Sequence, residues 1–274
     1  MKLSKLLLTT LLVGSAVCTT SCSGNTLVVY TEAGFAPFEY VSGGKIVGVD
    51  VDIMEKVGEK LNKKVVFENV SFDAIVDTVA EGKLTNVGAA GLSITEERLE
   101  KVDFSIPYYT ANLYVIFNEN NVGENFSKVM TDGNTGVYWS SLTSNKGIGI
   151  QTGTTADFFL SDEVAEGGSL FGTSKSDYDL LDTAVADIGL NIDYVIIDEL
   201  PAKKLVENKK ELECLPLYYQ GEQDEAAYDE YAIAVTKGQE ELLTTINEVL
   251  TELLIEDENG NTLIDKMVSE HLGV

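Results

Sequence analysis

From Leu27 onward the chain alternates between short β-rich runs and amphipathic helical stretches, and no other feature narrows its fold as far. Residues 27–31 and 64–70 read as strands. Between them Ile53, Val57 and Leu61 recur at fourth positions behind Asp50, which is expected to cap a helix. Phe72, Ile75, Val76 and Val79 form the stripe of a short helix that Gly82 stops. A small-residue strand over 87–90 follows, then a helix opening at Thr95-Glu96-Glu97, with acids where the helix dipole favours them. A second βα unit has a strand over 148–151, a tight turn at Gly153-Thr154-Thr155 and a helix opening at 156–160. Leu180, Leu181, Ala184, Val185 and Ile188 stripe another helix, and the strand 194–197 ends in Asp198. Residues 112–117 and 230–235 read as strands far apart in sequence, and the tail as helices over 239–255 and 262–272. Residues 118–146, rich in Asn, Gly, Ser and Thr, form the one long irregular stretch. The expected class is α/β.

Composition removes several functions. The chain of 274 residues carries 19 Lys and Arg against 45 Asp and Glu, a formal net charge of −26. A surface that acidic does not hold a nucleic-acid backbone, which needs clustered basic groups. No apolar run reaches the ~20 residues of a spanning helix. Cys18, Cys22 and Cys214 are the only cysteines and His271 the only histidine, so a structural zinc site, a His-based triad and a disulfide framework are not expected. His271, in the tail, is expected at the surface. No cofactor is called for.

Residues 1–21 read as an export signal. Lys2 and Lys5 precede an apolar stretch over 6–17 of signal-peptide length. Thr19-Thr20-Ser21-Cys22 resembles a bacterial lipoprotein cleavage site, in which Cys22 becomes the lipidated first residue. The plainer alternative is secretion with an incidental cysteine. A two-chain lipid supplies the stable attachment that one chain cannot, so the mature protein is expected outside the cell, anchored to the membrane.

Three stretches carry a family resemblance: Thr31-Glu32-Ala33-Gly34-Phe35-Ala36-Pro37-Phe38-Glu39-Tyr40, then Gly91-Leu92-Ser93-Ile94-Thr95-Glu96-Glu97-Arg98 running into Val102-Asp103-Phe104-Ser105-Ile106-Pro107-Tyr108-Tyr109, and Gly149-Ile150-Gln151-Thr152-Gly153-Thr154-Thr155. In order and spacing the chain resembles the extracellular solute-binding proteins (family 3 type) of polar amino-acid ATP-binding-cassette importers. The resemblance implies a two-lobe, periplasmic-binding-protein-like fold of type II, with two hinge strands and the ligand cleft between the lobes. On that template residues 22–115 and 232–274 form one lobe, 116–231 the other, and 112–117 and 230–235 the hinge strands.

An α-amino acid presents a carboxylate, an ammonium group and a side chain, and a closed site must satisfy all three. Arg98 is the only arginine beside 18 lysines. A planar fork that binds a carboxylate through two parallel bonds is a task for Arg and not Lys. A surface Arg pairing with Glu97 or Glu100 is the alternative, and the flanking motif favours the ligand. Ser93 adds a hydroxyl. Thr152 to Thr155 precede a helix, so their N–H groups and the Thr155 hydroxyl are expected on the same carboxylate. Asp198, at the end of an apolar strand, suits the ammonium; a helix N-cap is its compatible alternative role. The resemblance implies that the Gly91 carbonyl shares the ammonium, that Phe35 and Phe72 pack on the ligand side chain, and that Glu32 and Gln151 read its polar end. Phe38 is a core candidate, and Tyr108 and Tyr109 are expected to pack the lobe.

Glu32 suits a cation or the amide of glutamine, and a second ligand carboxylate would find no second arginine. The expected ligand is a polar, non-acidic amino acid, basic or glutamine. The leading reading is a monomeric binding protein that hands its ligand to a membrane permease without making or breaking bonds. A dehydratase of amino-acid-like substrates and a ligand sensor domain are the alternatives.

Overall fold

Thr26–Thr31, with the β-branched sequence TLVVYT, is an interior strand of the first sheet, second from its edge. It pairs in parallel with Lys64–Asn69 on one side and Val87–Gly88 on the other. Parallel neighbours require crossovers. The helix Val49–Leu61 supplies the first, the turn Phe72–Ala74 with the helix Ile75–Glu81 the second. Ala234–Thr236, from the far end of the chain, enters antiparallel between Val87–Gly88 and Val102–Phe104. The computed structural model describes residues 25–273, so the expected signal and Cys22 lie outside the described residues.

The second sheet has nine strands. Ile148–Gln151 lies parallel to both Lys175–Tyr178 and Tyr194–Asp198, with the helices Thr155–Val164 and Leu181–Ala186 as crossovers. The ten-residue strand Tyr109–Asn118 runs antiparallel between Tyr194–Asp198 and Leu212–Tyr219. Its first residues pair instead with Tyr228–Tyr231, Tyr109 opposite Tyr231 and Asn112 opposite Tyr228. These two strands carry the chain between the sheets.

The expected strand over 230–235 is broken. Tyr228–Tyr231 and Ala234–Thr236 belong to different sheets. At the change of sheet the Ala232 N–H donates to the Leu92 carbonyl at 2.9 Å and the Ile233 N–H to the Ser105 hydroxyl at 2.9 Å, which interrupts the ladder.

Asp50 is not the cap of its helix. Gly48 holds that position at φ 139, where a Cβ would lie 2.0 Å from the Phe38 carbonyl oxygen. Asp50 falls in the first turn and points inward, accepting from the Gly91 N–H at 3.0 Å and the Tyr108 hydroxyl at 2.5 Å. Against this helix pack Leu263–Leu272 and Glu240–Leu253. The first of these carries His271, which is half-buried rather than free at the surface: its Nε2 lies 2.9 Å from Asp52 and its Nδ1 3.2 Å from the Tyr40 hydroxyl.

Phe38, Ile53, Met54, Ile246 and Leu250 meet in a core under the first sheet. Trp139, Leu142, Ile148, Ile150 and Leu160 form another under the second. Trp139 shows why 118–146 is more ordered than its composition. Lys128–Val129 and Thr135–Tyr138 form an antiparallel pair, and Thr135–Tyr138 extends the sheet parallel to Leu212–Tyr219. The pair turns through Gly133 at φ 88, with the Asn134 N–H donating to the Asp132 carboxylate. Polar turn chemistry masks a short strand whose neighbour lies about eighty residues away.

Candidate functional site

In open α/β sheets ligands bind beyond the carboxyl ends of the strands. Glu32 follows Thr26–Thr31, Gly91 follows Val87–Gly88, and Gln151 and Asp198 close their own strands. All four are buried where the two sheets meet.

Arg98 lies in the helix Glu96–Lys101, whose N-cap Thr95 accepts from the Arg98 N–H. The guanidinium donates through Nη1 to the Ser93 carbonyl at 2.6 Å and through Nη2 to the Gly153 carbonyl at 2.9 Å. One side chain thereby ties the first sheet's loop to the second's. Phe72 and Phe158 lie 5.7 and 5.8 Å from its central carbon, as cation–π partners. Burial brings its pKa down to about 10, opposed by nearby Asp229, Glu97 and Asp198, so it stays charged at neutral pH.

Ser93 and Thr155 meet across the gap, hydroxyl to hydroxyl at 3.4 Å. Gln151 and Glu32 also meet, amide to carboxylate at 3.4 Å, while the same amide donates to the Asp179 carbonyl at 3.0 Å. Phe35 backs Gly91, where a Cβ would lie 2.8 Å from the ring, and joins Phe38 and Tyr231 in an aromatic floor. Phe38 is core as expected. Phe72 stands apart from that floor, over Arg98.

The 152–155 turn differs from expectation. Thr152 directs both its N–H and its hydroxyl to the Tyr178 carbonyl. The Gly153 N–H donates to Asp157 at 2.9 Å and the Thr154 N–H to the Gln151 carbonyl at 3.3 Å. These donors hold the turn itself, because Gly153 must be fixed for its carbonyl to meet Arg98. Thr155 turns its hydroxyl into the site.

Asp198 occupies the N-cap position of Glu199–Val206, yet its side chain makes no capping bond. Its Oδ1 is buried and has no partner. Burial and then Asp229 push its pKa up to about 8, against the pull of the Tyr231 hydroxyl and Arg98. Such an oxygen is costly unless a cation or donor reaches it.

Sequence reasoning missed four contributors. Asp229 accepts a hydrogen bond from the Thr155 hydroxyl. Tyr231 lies two residues on, on the same face of its strand, where burial alternates exposed–buried–exposed–buried from Tyr228. The residues Tyr-Asp-Glu-Tyr show no matching alternation of apolar and polar side chains, so this face left no signal in the sequence. Glu39 is fully buried beside Asp50, with both oxygens lacking a donor; burial first, then Asp50 and Glu32, push it well above the carboxylate range. Asp50 itself is raised to about 6, mainly by burial. An acid directly after Pro37-Phe38 gave no hint of its depth. Phe158 follows from its place one turn after Thr155.

Two openings flank these residues. One of about 480 Å³, lined by Ile94, Thr155, Phe158, Tyr228 and Asp229, lies on the Arg98 side. The other, of about 370 Å³, is lined by Gly34, Tyr40, Asp182 and Pro201. The arrangement pairs a buried forked cation with a buried carboxylate whose oxygen lacks a partner, as a zwitterion requires.

Comparison with known proteins identifies the family and the fold. Residues 27–267 match the profile of the bacterial extracellular solute-binding proteins, family 3. The chain is similar to the arginine-binding extracellular protein ArtP of Bacillus subtilis (strain 168), 31% identical over 121 residues, which is 44% of this chain and 47% of ArtP. It is also similar to the L-cystine-binding protein TcyJ of Escherichia coli (strain K12), 25% identical over 230 residues, 83% of this chain and 77% of TcyJ. The match to ArtP spans about half of that relative's length. Among solved structures, the amino acid transporter substrate-binding protein AbpA of Streptococcus pneumoniae, bound to L-arginine, superposes with a TM-score of 0.74 at 27% identity, covering 91% of this chain and 95% of AbpA. An ancestral arginine-binding protein bound to glutamine gives 0.72 at 29% identity, covering 91% and 99%. The fold is the two-lobe type II architecture of periplasmic binding proteins, with a cleft between the lobes. With its profile matched over nearly all the described residues, the chain belongs to the bacterial extracellular solute-binding proteins of family 3.

Proposed function

We propose that this protein captures a polar, non-acidic amino acid outside the cell and delivers it to the permease of an ATP-binding-cassette importer. The observation that carries the reading is the pairing of buried Arg98 with the unpartnered Oδ1 of buried Asp198. Arg98, Ser93 and Thr155 take the ligand carboxylate, with Phe72 over the Arg98 guanidinium; Asp198 and the Gly91 carbonyl take its ammonium; Phe35, Glu32 and Gln151 face its side chain. Thr152 serves by holding the turn. Asp182 adds negative charge beside Glu32, so a basic side chain is favoured over glutamine. The arginine-bound relatives support that order, and the glutamine-bound one keeps glutamine within the class.

The protein acts as a monomer and leaves its ligand chemically unchanged. One lobe is built from 22–115 and 232–274, the other from 116–231, and they close about the paired strands Tyr109–Asn112 and Tyr228–Tyr231. Closure is a hinge motion driven by the ligand's higher affinity for the closed form. Cys22 carries a lipid that holds the mature chain at the membrane. A thermal-shift panel of the common amino acids tests the reading. A ligand at a hundred times its Kd stabilises the folded state by about 2.7 kcal/mol. Stabilisation by arginine, lysine, histidine or glutamine is expected, and a response to glutamate or leucine above all others would overturn it.

A further inference from the structure

The carboxylate seat already has a tenant. Asp229 projects inward from Tyr228–Tyr231 and is 8% exposed. The Thr155 hydroxyl donates to its Oδ2, the Ser93 hydroxyl faces it, and Arg98 is near enough for the two charges to act on each other. Backbone pairing sets this placement: Ser93 bridges to Tyr231, and the Ile94 N–H donates to the Glu230 carbonyl at 3.1 Å. Two of the three groups assigned to a ligand carboxylate, Thr155 and Ser93, therefore already face a carboxylate of the chain itself, with the Arg98 charge close by. The cation seat is in the opposite condition, with the Asp198 Oδ1 unpartnered.

We propose that Asp229 is a specificity-determining residue that occupies the anion seat as an internal stand-in for the ligand carboxylate. The inference rests on the amino-acid reading above. In physical terms, a buried guanidinium needs a counter-charge, and Asp229 supplies it in the free protein. An incoming amino acid satisfies Asp198 with its ammonium at once, but its carboxylate must displace Asp229 from Thr155 and Ser93. An amine that carries no carboxylate leaves Asp229 in place. Asp229 thereby lowers the affinity for amino acids relative to the matching decarboxylated amines.

Asp229→Asn keeps the shape and an acceptor oxygen for Thr155 while removing the charge. Titration calorimetry with L-arginine and with agmatine, which is arginine without its carboxylate, reads the difference. The expected result is at least tenfold tighter arginine binding in the variant, with agmatine moved less than threefold. Arginine binding that is unchanged or weaker, or arginine and agmatine shifting together, would overturn the proposal, since a purely structural residue moves both alike. A second measurement does not depend on the natural ligand. Sodium acetate is expected to raise the melting temperature of Asp229→Asn and leave the parent unmoved, at matched ionic strength. Equal responses of the two proteins would overturn the assignment of the seat. If neither protein binds arginine or agmatine while acetate still separates them, arginine is not the ligand, the amino-acid reading is decided by the thermal-shift panel, and the assignment of Asp229 stands.

Discussion

Replacing Arg98 with lysine keeps the charge and removes the fork. In the structure two nitrogens of one planar group reach two carbonyls, Ser93 at 2.6 Å and Gly153 at 2.9 Å, on loops of different sheets. A lysine ammonium is a point donor and serves one of them. The other becomes a carbonyl that has lost a charge-assisted bond, worth about 1.5–3 kcal/mol. The flat face between Phe72 and Phe158 is lost too, and each such contact is worth roughly 0.5–2 kcal/mol according to its desolvation. A lysine keeps part of that attraction, so the net destabilisation is about 2–3 kcal/mol. For a chain of this size that lowers the melting temperature by about 4–12 °C. Ligand affinity falls by a similar energy, roughly 30- to 150-fold, because the two parallel bonds to a carboxylate are lost as well. Denaturant titration with an unchanged m-value and calorimetry on the same preparation measure both losses. Parent-like affinity in Arg98→Lys would refute the carboxylate role, and parent-like stability would refute the clamp between loops.

Three further outcomes are expected. Glu39 and Asp50 have folded pKa values above their unfolded ones; the stability they lend is therefore complete below about pH 4 and is lost as pH rises, for Asp50 through about 6. Unfolding midpoints should fall as pH rises from about 4 through about 6, and Glu39→Gln, which needs no proton to stay neutral, should flatten the part of the fall that Glu39 contributes; a midpoint that rises with pH would contradict the burial argument. Glu32→Gln should weaken binding of a basic amino acid more than of glutamine in competition assays, and equal losses would remove Glu32 from the side-chain end. Cys22→Ser should move the protein from the membrane to the soluble fraction, and a parent chain that mass spectrometry finds without lipid would refute the anchor.

Much of the candidate site was legible along the chain because its parts are local. Arg98, Ser93 and Gly91 share one segment, Gln151 and Thr155 another, and Asp198 ends a strand; strand ends and helix starts leave periodic and capping signals. Fold class was legible for the same reason, since alternating periods of 2 and 3.6 are written residue by residue. The limits of that reading show at Asp50, an acid at the start of a helical stripe. Its sequence position suits a cap, and only the approach of Gly48 to Phe38 turns it inward toward Gly91 and Tyr108. Trp139 and its flanking strands were hidden in polar turn chemistry because their pairing partner is distant in sequence. Asp229 and Glu39 gave no local sign of meeting Arg98, Asp198 and Asp50. The sequence by itself determined the α/β class, the order of the elements and most of the donors. The tertiary structure alone decided which carboxylates face one another and which donor is already engaged, because burial and charge pairing arise from segments that meet only when both sheets have formed.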